Sequence, residues 1–280
     1  VAPNPGAPRA GNAQIAGRTV AVQQGGADGA RTPVFAPEGV VNAASYAGGG
    51  VSPGEMVAIF GRGVGPDVLA ALQLVNGKIS TQTGNTSVYF DGVPAPVIYA
   101  QAGTASVIVP YIVATPSSSS SSVPRTSTNI ELVYNGVSAP VVTVPVKPSL
   151  IGLFSANGSG TGQGAFLNED LSPNNQANPA HPGSIVVFFA TGEGQTNPGG
   201  VDGQIAGAQL PKPILPVSVT IGGNPAQQVY AGAAPQSVAG LMQINVRVPD
   251  NTPSGDIPVQ VQVGGAQSQA GLTLAVEAKN

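Results

Sequence analysis

The chain has 280 residues, 39 of them Gly and 27 Pro, with only 8% charged residues, a net charge of −3, one His, no Cys and no Trp. Ten Lys and Arg are too few for the basic face that phosphate backbones require. The absence of Cys removes disulfides, thiolate metal sites and a cysteine nucleophile. The longest apolar run, 185–190, is far short of the ~18 residues of a membrane span. With 41% hydrophobic residues and a mean hydropathy of +0.16, the composition is that of a folded chain rather than a disordered one. So little net charge favours association.

Residues 1–37 are read as an N-terminal extension. The Pro/Gly/Ala-rich stretch 1–11 lacks the charged and apolar regions of an intact signal peptide and fits a mature end left after cleavage. In 13–24 (AQIAGRTVAVQQ), Val20 and Val22 alternate with smaller or polar neighbours at strand period. Residues 25–31 (GGADGAR) read as a flexible linker, which leaves this strand nothing obvious to pair with inside its own segment.

From residue 38 onward, short β-runs alternate with Gly/Pro/Asn turns. The spacing predicts strands at 56–60, 87–90, 97–100, 106–109, 130–134 and 140–146, and again at 185–190, 217–221, 228–230, 243–248, 257–263 and 272–276. The only helical expectation is about a turn at 68–74, started by Pro66-Asp67. The fold class is therefore all-β.

The two sets repeat each other. Pro53-Gly54-Glu55-Met56 recurs as Pro182-Gly183-Ser184-Ile185, Ser87-Val88 as Ser218-Val219, Val107-Ile108-Val109-Pro110 as Val246-Arg247-Val248-Pro249, and Asn135-Gly136 as Gly264-Gly265. The offsets are 129, 131, 139 and 129. Two tandem immunoglobulin-like β-sandwiches are expected, over 38–147 and 148–280, the second taking a strand from 165–167. In the first, 115–128 (TPSSSSSSVPRTST) is an exposed loop and a candidate for O-glycosylation at Ser117, Ser118, Ser119, Ser120, Ser121 and Ser122, or else a plain flexible loop.

Val40-Val41-Asn42-Ala43-Ala44-Ser45-Tyr46 and Ser52-Pro53-Gly54-Glu55-Met56-Val57-Ala58-Ile59-Phe60-Gly61 resemble the opening of a family of secreted bacterial proteins abundant in acidobacteria, known as an uncharacterised C-terminal domain. Phe90-Asp91-Gly92-Val93-Pro94-Ala95-Pro96, Ala190-Thr191-Gly192-Glu193-Gly194 and Gln243-Ile244-Asn245-Val246 extend the resemblance over about 38–276. Each half is also similar to the IPT/TIG sandwich. The resemblance implies an exported, non-catalytic β module and supplies no catalytic residues. The chain departs from the family where Thr104-Ala105-Ser106 stands for the Gln-Ile-Asn of the second copy, and in being nearly all module.

Local chemistry is sparse. Gly50-Val51-Ser52-Pro53-Gly54 matches the G-x-S-x-G nucleophile pattern, but Pro53 has no N–H for an oxyanion hole and a strand follows rather than a helix. His181, with Ser184 and Asp170 nearest in sequence, reads as a turn residue rather than a triad member. Asn168-Glu169-Asp170 reads as a solvated hairpin tip, since no calcium-loop pattern accompanies it. Glu193, between two glycines, reads as a turn residue. Gly158–Gly164 lacks the phosphate-loop lysine and reads as a connection. Tyr46, Tyr89, Tyr99, Tyr111, Tyr134 and Tyr230 are read as packing residues, with a sugar-stacking platform the weaker reading.

The sequence reading is a secreted or cell-surface structural subunit, its signal peptide removed, that polymerises with itself into a filament or surface layer. Assembly is by donor-strand addition through Ile15, Val20 and Val22. The alternative is a monomeric adhesin or carbohydrate-binding module that meets surface glycans. No catalytic residues, metal, cofactor, nucleic acid or membrane span are expected.

Overall fold

The structure, a computed structural model, describes residues 9–15, 18–24, 32–114 and 124–277. Two β-sandwiches follow each other along the chain. In the first, one sheet runs Val34–Asn42, Met56–Arg62, Thr104–Ile108, Val97–Gln101, Ala70–Ala71 in spatial order. The facing sheet places Ser127–Tyr134 between Thr86–Phe90 and Val142–Pro145. Lettered A to G in chain order, with the two-residue strands set aside, these make an ABED sheet against a CFG sheet, which is the immunoglobulin topology. The second sandwich repeats it. Here the two-residue Gly152–Leu153 takes the place of A: with Ile185–Thr191, Met242–Arg247 and Gln227–Ala233 it forms ABED, and Val217–Ile221, Gly255–Val263 and Leu272–Val276 form CFG.

The repeat extends to single hydrogen bonds. Gly54 N donates to Val109 O and Gly183 N to Val248 O, at 2.9 and 2.8 Å. Ala95 N donates to Val88 O and Ala226 N to Val219 O. The fourth strand of each sandwich shifts register at equivalent places, between Val97 and Tyr99 and between Gln228 and Tyr230. Asn135-Gly136 closes the hairpin Val133↔Ser138 and Gly264-Gly265 closes Gln262↔Gln267, the late hairpins the sequence marks. Asn135 and Gly136 both have positive φ, the backbone of a tight hairpin turn.

Each sandwich has its own core. The first packs Ile59, Val88, Phe90, Ile130 and Leu132, all fully buried. The second packs Phe188, Ile244, Val261 and Leu274, with the Phe166 ring tilted 42° on Phe188 at 4.2 Å between centroids. Alternation predicts these residues because every second side chain of a half-covered sheet faces inward. A third apolar cluster joins the two bodies: Met56, Ile79 and Ile108 from the first meet Phe154, Val238 and Leu241 from the second.

Three features depart from the sequence reading. The turn of helix expected at 68–74 is two short strands, Ala70–Ala71 and Leu74–Val75. Ala70 and Ala71 pair with Ala100 and Tyr99, and Asn76-Gly77, both with positive φ, turn the chain back to Lys78–Ile79. Sheet hydrogen bonds outbid a single helical turn, whose nucleation is unfavourable. The A strands were not expected; Pro37 and Gly39 interrupt the first, whose register shifts between Phe35 and Val40. It begins at Val34, four residues before the point where the first sandwich was expected to start. Finally, Arg18–Gln24 finds a partner within its own segment, folding back on Arg9–Ile15 as an antiparallel hairpin.

Candidate functional site

Two places in the fold are built in a way that packing alone does not require. One is a sheet edge. Ala70–Ala71 is the outermost strand of the first ABED sheet. Around it Val68, Leu69, Leu72, Leu74 and Val75 stand exposed, Val68 at 80% and Leu74 at 58%. The stretch 68–75 (VLAALQLV) has no charge. Natural sheets usually blunt an edge with Lys, Pro or a bulge, because its unpaired N–H and C=O groups template pairing with another chain. Ala70–Ala71 itself carries neither Lys nor Pro; its shortness, two residues, and the register shift beside Tyr99 in its partner strand are the devices that limit this edge.

The N-terminal hairpin is a sheet of two strands, separate from both sandwiches. Arg9 donates to Gln24 Oε1 at its open end, at 2.9 and 2.6 Å. Of the candidate donor residues, Ile15 ends the first strand opposite Arg18, while Val20 and Val22 lie on the second opposite Ala13 and Gly11. The residues expected to act as one strand are thus spread over two. Residues 25–33 tether this hairpin to Val34–Asn42, the strand at the other edge of the same ABED sheet.

The second place is the seam between the sandwiches. Asn42, buried, is its hub: Nδ2 donates to Glu55 Oε1 at 2.8 Å and to Leu150 O of the second sandwich at 2.9 Å. Its Oδ1 accepts from Ala44 N and Ser45 N. Thr191 Oγ1 accepts from Met56 N across the seam and donates to Gly240 O, both at 2.8 Å. Tyr111 N donates to Asp202 Oδ1, and Gln195 Nε2 to Tyr111 O. The backbones nearly touch; a Cβ on Gly240 would overlap Gly54 O.

Two carboxyls are buried here, Glu55 at 0% and Glu193 at 2% exposure. Glu55 closes the Gly50–Gly54 turn, its Oε2 accepting from Ser52 N at 2.7 Å and Ser52 Oγ at 3.2 Å. Ser52 Oγ also lies 3.4 Å from Gly192 O across the seam, so Ser52 serves its turn and the seam, and the nucleophile-like pattern is a structural corner. Burial pushes Glu55 up to about 8 despite these hydrogen bonds. Glu193 is also raised to about 8, by burial first, with the charge of Glu55 adding to it. Backbone hydrogen bonds at Glu193 and Gly192 oppose the rise, yet Glu193 Oε2 has no hydrogen-bond partner. Gly192 and Gly194 have φ of +91° and +84°, and a Cβ on either would overlap the Leu150 or Pro148 carbonyl. The glycines thus let this turn lie against the interdomain chain, as the turn reading expects, and in doing so aim a carboxyl inward.

Beside Glu193 lies a cavity of about 350 Å³. Tyr111 of the first sandwich and Thr196, Val201, Gln204, Gly207, Gln209 and Ala239 of the second are among the residues that wall it. Burial, and then the charges of Glu193 and Asp202, push the Tyr111 phenol well above its ordinary value. Its ring is clasped between Gly54 and Gly200: a Cβ on Gly54 would lie 2.5 Å from a ring carbon, and one on Gly200 would overlap the ring.

The other singled-out residues lie apart. His181 Nδ1 is 3.0 Å from Glu277 O, and Ser184 Oγ donates to the His181 carbonyl at 2.6 Å rather than to its ring. Asp170 accepts from Ser172 at the tip of the Leu167↔Pro173 hairpin. Gly162–Gln163, inside the expected connection, pairs in parallel with Leu272–Thr273. Tyr230 Oη donates to Ala233 O, with Lys212 Nζ 6.0 Å from its ring centroid. Tyr46 lies against Phe60. Ser117–Ser122 lie outside the described residues. Among the described residues no helix is long and apolar enough to cross a membrane.

That Glu55 and Glu193 meet is not legible in the sequence, because they lie on opposite halves of the chain. The one signal was a Glu held between two glycines beside an apolar strand.

No family model matches the chain, and no curated protein matches it. Solved structures similar to it include the I9–I11 tandem of titin, at 12% identity over 96% of this chain and 74% of that one, with a TM-score of 0.23. SGBP-B of the Bacteroides ovatus mixed-linkage glucan utilization locus, solved with a heptasaccharide, is similar at 15% identity over 94% of this chain and 51% of that one, TM-score 0.31. Domains 4–9 of the surface layer protein SbsC are similar at 12% identity over 94% of this chain and 33% of that one, TM-score 0.25. The chain thus spans about half of the glucan-locus protein and a third of the surface-layer fragment. The immunoglobulin-like topology itself is read from the strand order given above.

Proposed function

We propose that the chain is a structural subunit of an extracellular filament or surface layer. In this reading the hairpin Arg9–Ile15/Arg18–Gln24 of one copy adds to the Ala70–Ala71 edge of the next. What carries the reading is the position of the two parts. The hairpin is tethered to one edge strand of the first ABED sheet, and the uncharged apolar edge lies at the other. Main-chain hydrogen bonds supply attachment in strand addition, and alternate side chains supply register; Ile15, Val20 and Val22 are the side chains proposed for that role. Residues 25–33 reach at most about 30 Å when extended, enough to present the hairpin to a neighbour. Donor and acceptor are different surfaces, so each contact leaves one of each free, and such a contact propagates unless its rotation closes a ring.

The same reading places the chain outside the cell, as the resemblance to exported acidobacterial modules implies, and takes Ser117–Ser122 as the O-glycosylated loop. Replacing Leu69 and Leu72 together by Lys tests the acceptor. Both are exposed, so the fold is expected to survive, with thermal unfolding close to that of the wild type. Assembly is expected to fall at least about tenfold by light scattering, because an inserted charge opposes edge pairing. Wild-type assembly by the double variant would contradict the edge as acceptor, and a stable monomer in both would favour the adhesin reading.

A further inference from the structure

The chain crosses from the first sandwich to the second through residues 146–148. Beside that crossing lies a pocket of about 260 Å³ that shares no lining residue with the Glu193 cavity. Val146 and Pro148 of the crossing and Ile214 and Leu215 of the second sandwich give it apolar walls. Among the described residues its charged groups are Arg125 and Lys147, both cations, and no carboxyl lines it. Main-chain hydrogen bonds hold the walls: Val146 N to Thr126 O, Lys147 N to Val51 O and Ile214 N to Gln195 O, each 2.9 Å. The pocket is therefore formed before anything enters it, which spares a ligand the cost of ordering it. Ile214 is 64% exposed, so the fold itself leaves this wall uncovered. Arg125 is already paired with Asp91 at 2.7 Å. Lys147 is exposed and has no carboxylate partner among the described residues. The unmatched charge at this apolar pocket is positive.

We propose that this pocket binds a small amphipathic anion, a short aliphatic chain or single ring that carries one carboxylate. The apolar body lies against Pro148, Ile214 and Leu215. The carboxylate stays at the mouth, where the Lys147 ammonium reaches it on a flexible four-carbon stem. A head group left partly in water avoids the desolvation cost of a buried ion pair. A neutral ligand leaves Lys147 unmatched, and a cation meets like charge from Lys147 and Arg125. The volume lies at the small end of ligand pockets, which suits a medium chain and not a full-length lipid. Both sandwiches wall the pocket, so occupancy also ties the two bodies together, and the melting temperature rises with ligand concentration. This inference is independent of assembly.

The test is isothermal titration of the full chain with octanoate, octanol and octylammonium, which share a tail and differ in charge, at about 20 and about 500 mM salt. The expected result is one octanoate bound per chain with a dissociation constant below about 1 mM at the lower salt. Octanol and octylammonium should bind at least about threefold more weakly, and the octanoate affinity should fall at the higher salt. Lys147→Glu should weaken octanoate at least about threefold, and Lys147→Arg should keep it. Ile214→Asp should weaken it as well, by placing a charge in the apolar wall. Lys147 and Ile214 are both exposed, so these variants are expected to melt near the wild-type temperature without ligand. Absence of octanoate binding would overturn the proposal. So would equal binding of octanol or octylammonium, an affinity that ignores salt, or unchanged binding by Lys147→Glu or by Ile214→Asp.

Discussion

Replacing Asn42 by Ala should destabilise the protein by about 4 kcal/mol and loosen the contact between the sandwiches. The side-chain amide serves four groups: it donates to Glu55 and Leu150 O, and accepts from Ala44 N and Ser45 N. Each buried group left without a partner costs about 1–3 kcal/mol, and neighbouring losses do not add fully. The loss falls on both sides of the seam, because Leu150 belongs to the second body and Glu55 to the first. Denaturant unfolding followed by tyrosine fluorescence checks the magnitude. If the seam is what couples the bodies, the variant should unfold in two steps where the wild type unfolds in one. A change below about 1 kcal/mol would mean that water replaces the amide at little cost.

Stability should be greatest near pH 5 and should fall by a few kcal/mol as the pH rises to about 8. Burial raises Glu55 and Glu193 from the ordinary 4.5 to about 8. Between those values the folded chain holds protons that the unfolded chain gives up. The stability they contribute is full below about pH 4.5, declines through the interval and levels off above 8. Each such carboxyl contributes a slope of at most about 1.4 kcal/mol per pH unit. Asp91 acts in the opposite sense at lower pH. Hydrogen bonds from Asn129 and Thr128 and the Arg125 ion pair at 2.7 Å outweigh its partial burial and lower it, so its contribution is lost as the pH falls through its folded value. Melting temperatures across pH 4 to 9 read the curve. Glu193→Gln should flatten its upper limb and be more stable than the wild type near pH 8, and an unchanged slope would contradict the assignment.

The repeat, the all-β class and most strands were legible because period-2 alternation and tight-turn dipeptides are local signals. Residues 53–56 and 182–185 even take equivalent hydrogen bonds to Val109 and Val248. The seam was not legible, since Thr191 meets Met56 across 135 positions of chain and no local pattern encodes that pairing. The stretch 68–75 misled in the other direction. Its apolar spacing after Pro66-Asp67 suggests a helix, but an amphipathic helix needs a core to face, and these side chains stand in solvent while Ala70 and Ala71 complete a sheet. A functional surface is where such local cues should fail, because a side chain placed for a partner does not serve its own fold. The glycines on either side of Glu193, both at positive φ, are a local signal, but its neighbour Glu55 and the cavity beside it come from elsewhere in the chain.

The most direct measurement of the assembly account compares the intact chain with one lacking residues 1–31, by negative-stain electron microscopy and size-exclusion chromatography. The account predicts filaments or sheets from the intact chain and folded monomers from the truncated one. Filaments from both would move the contact to the sandwich bodies, and monomers from both would contradict self-assembly altogether.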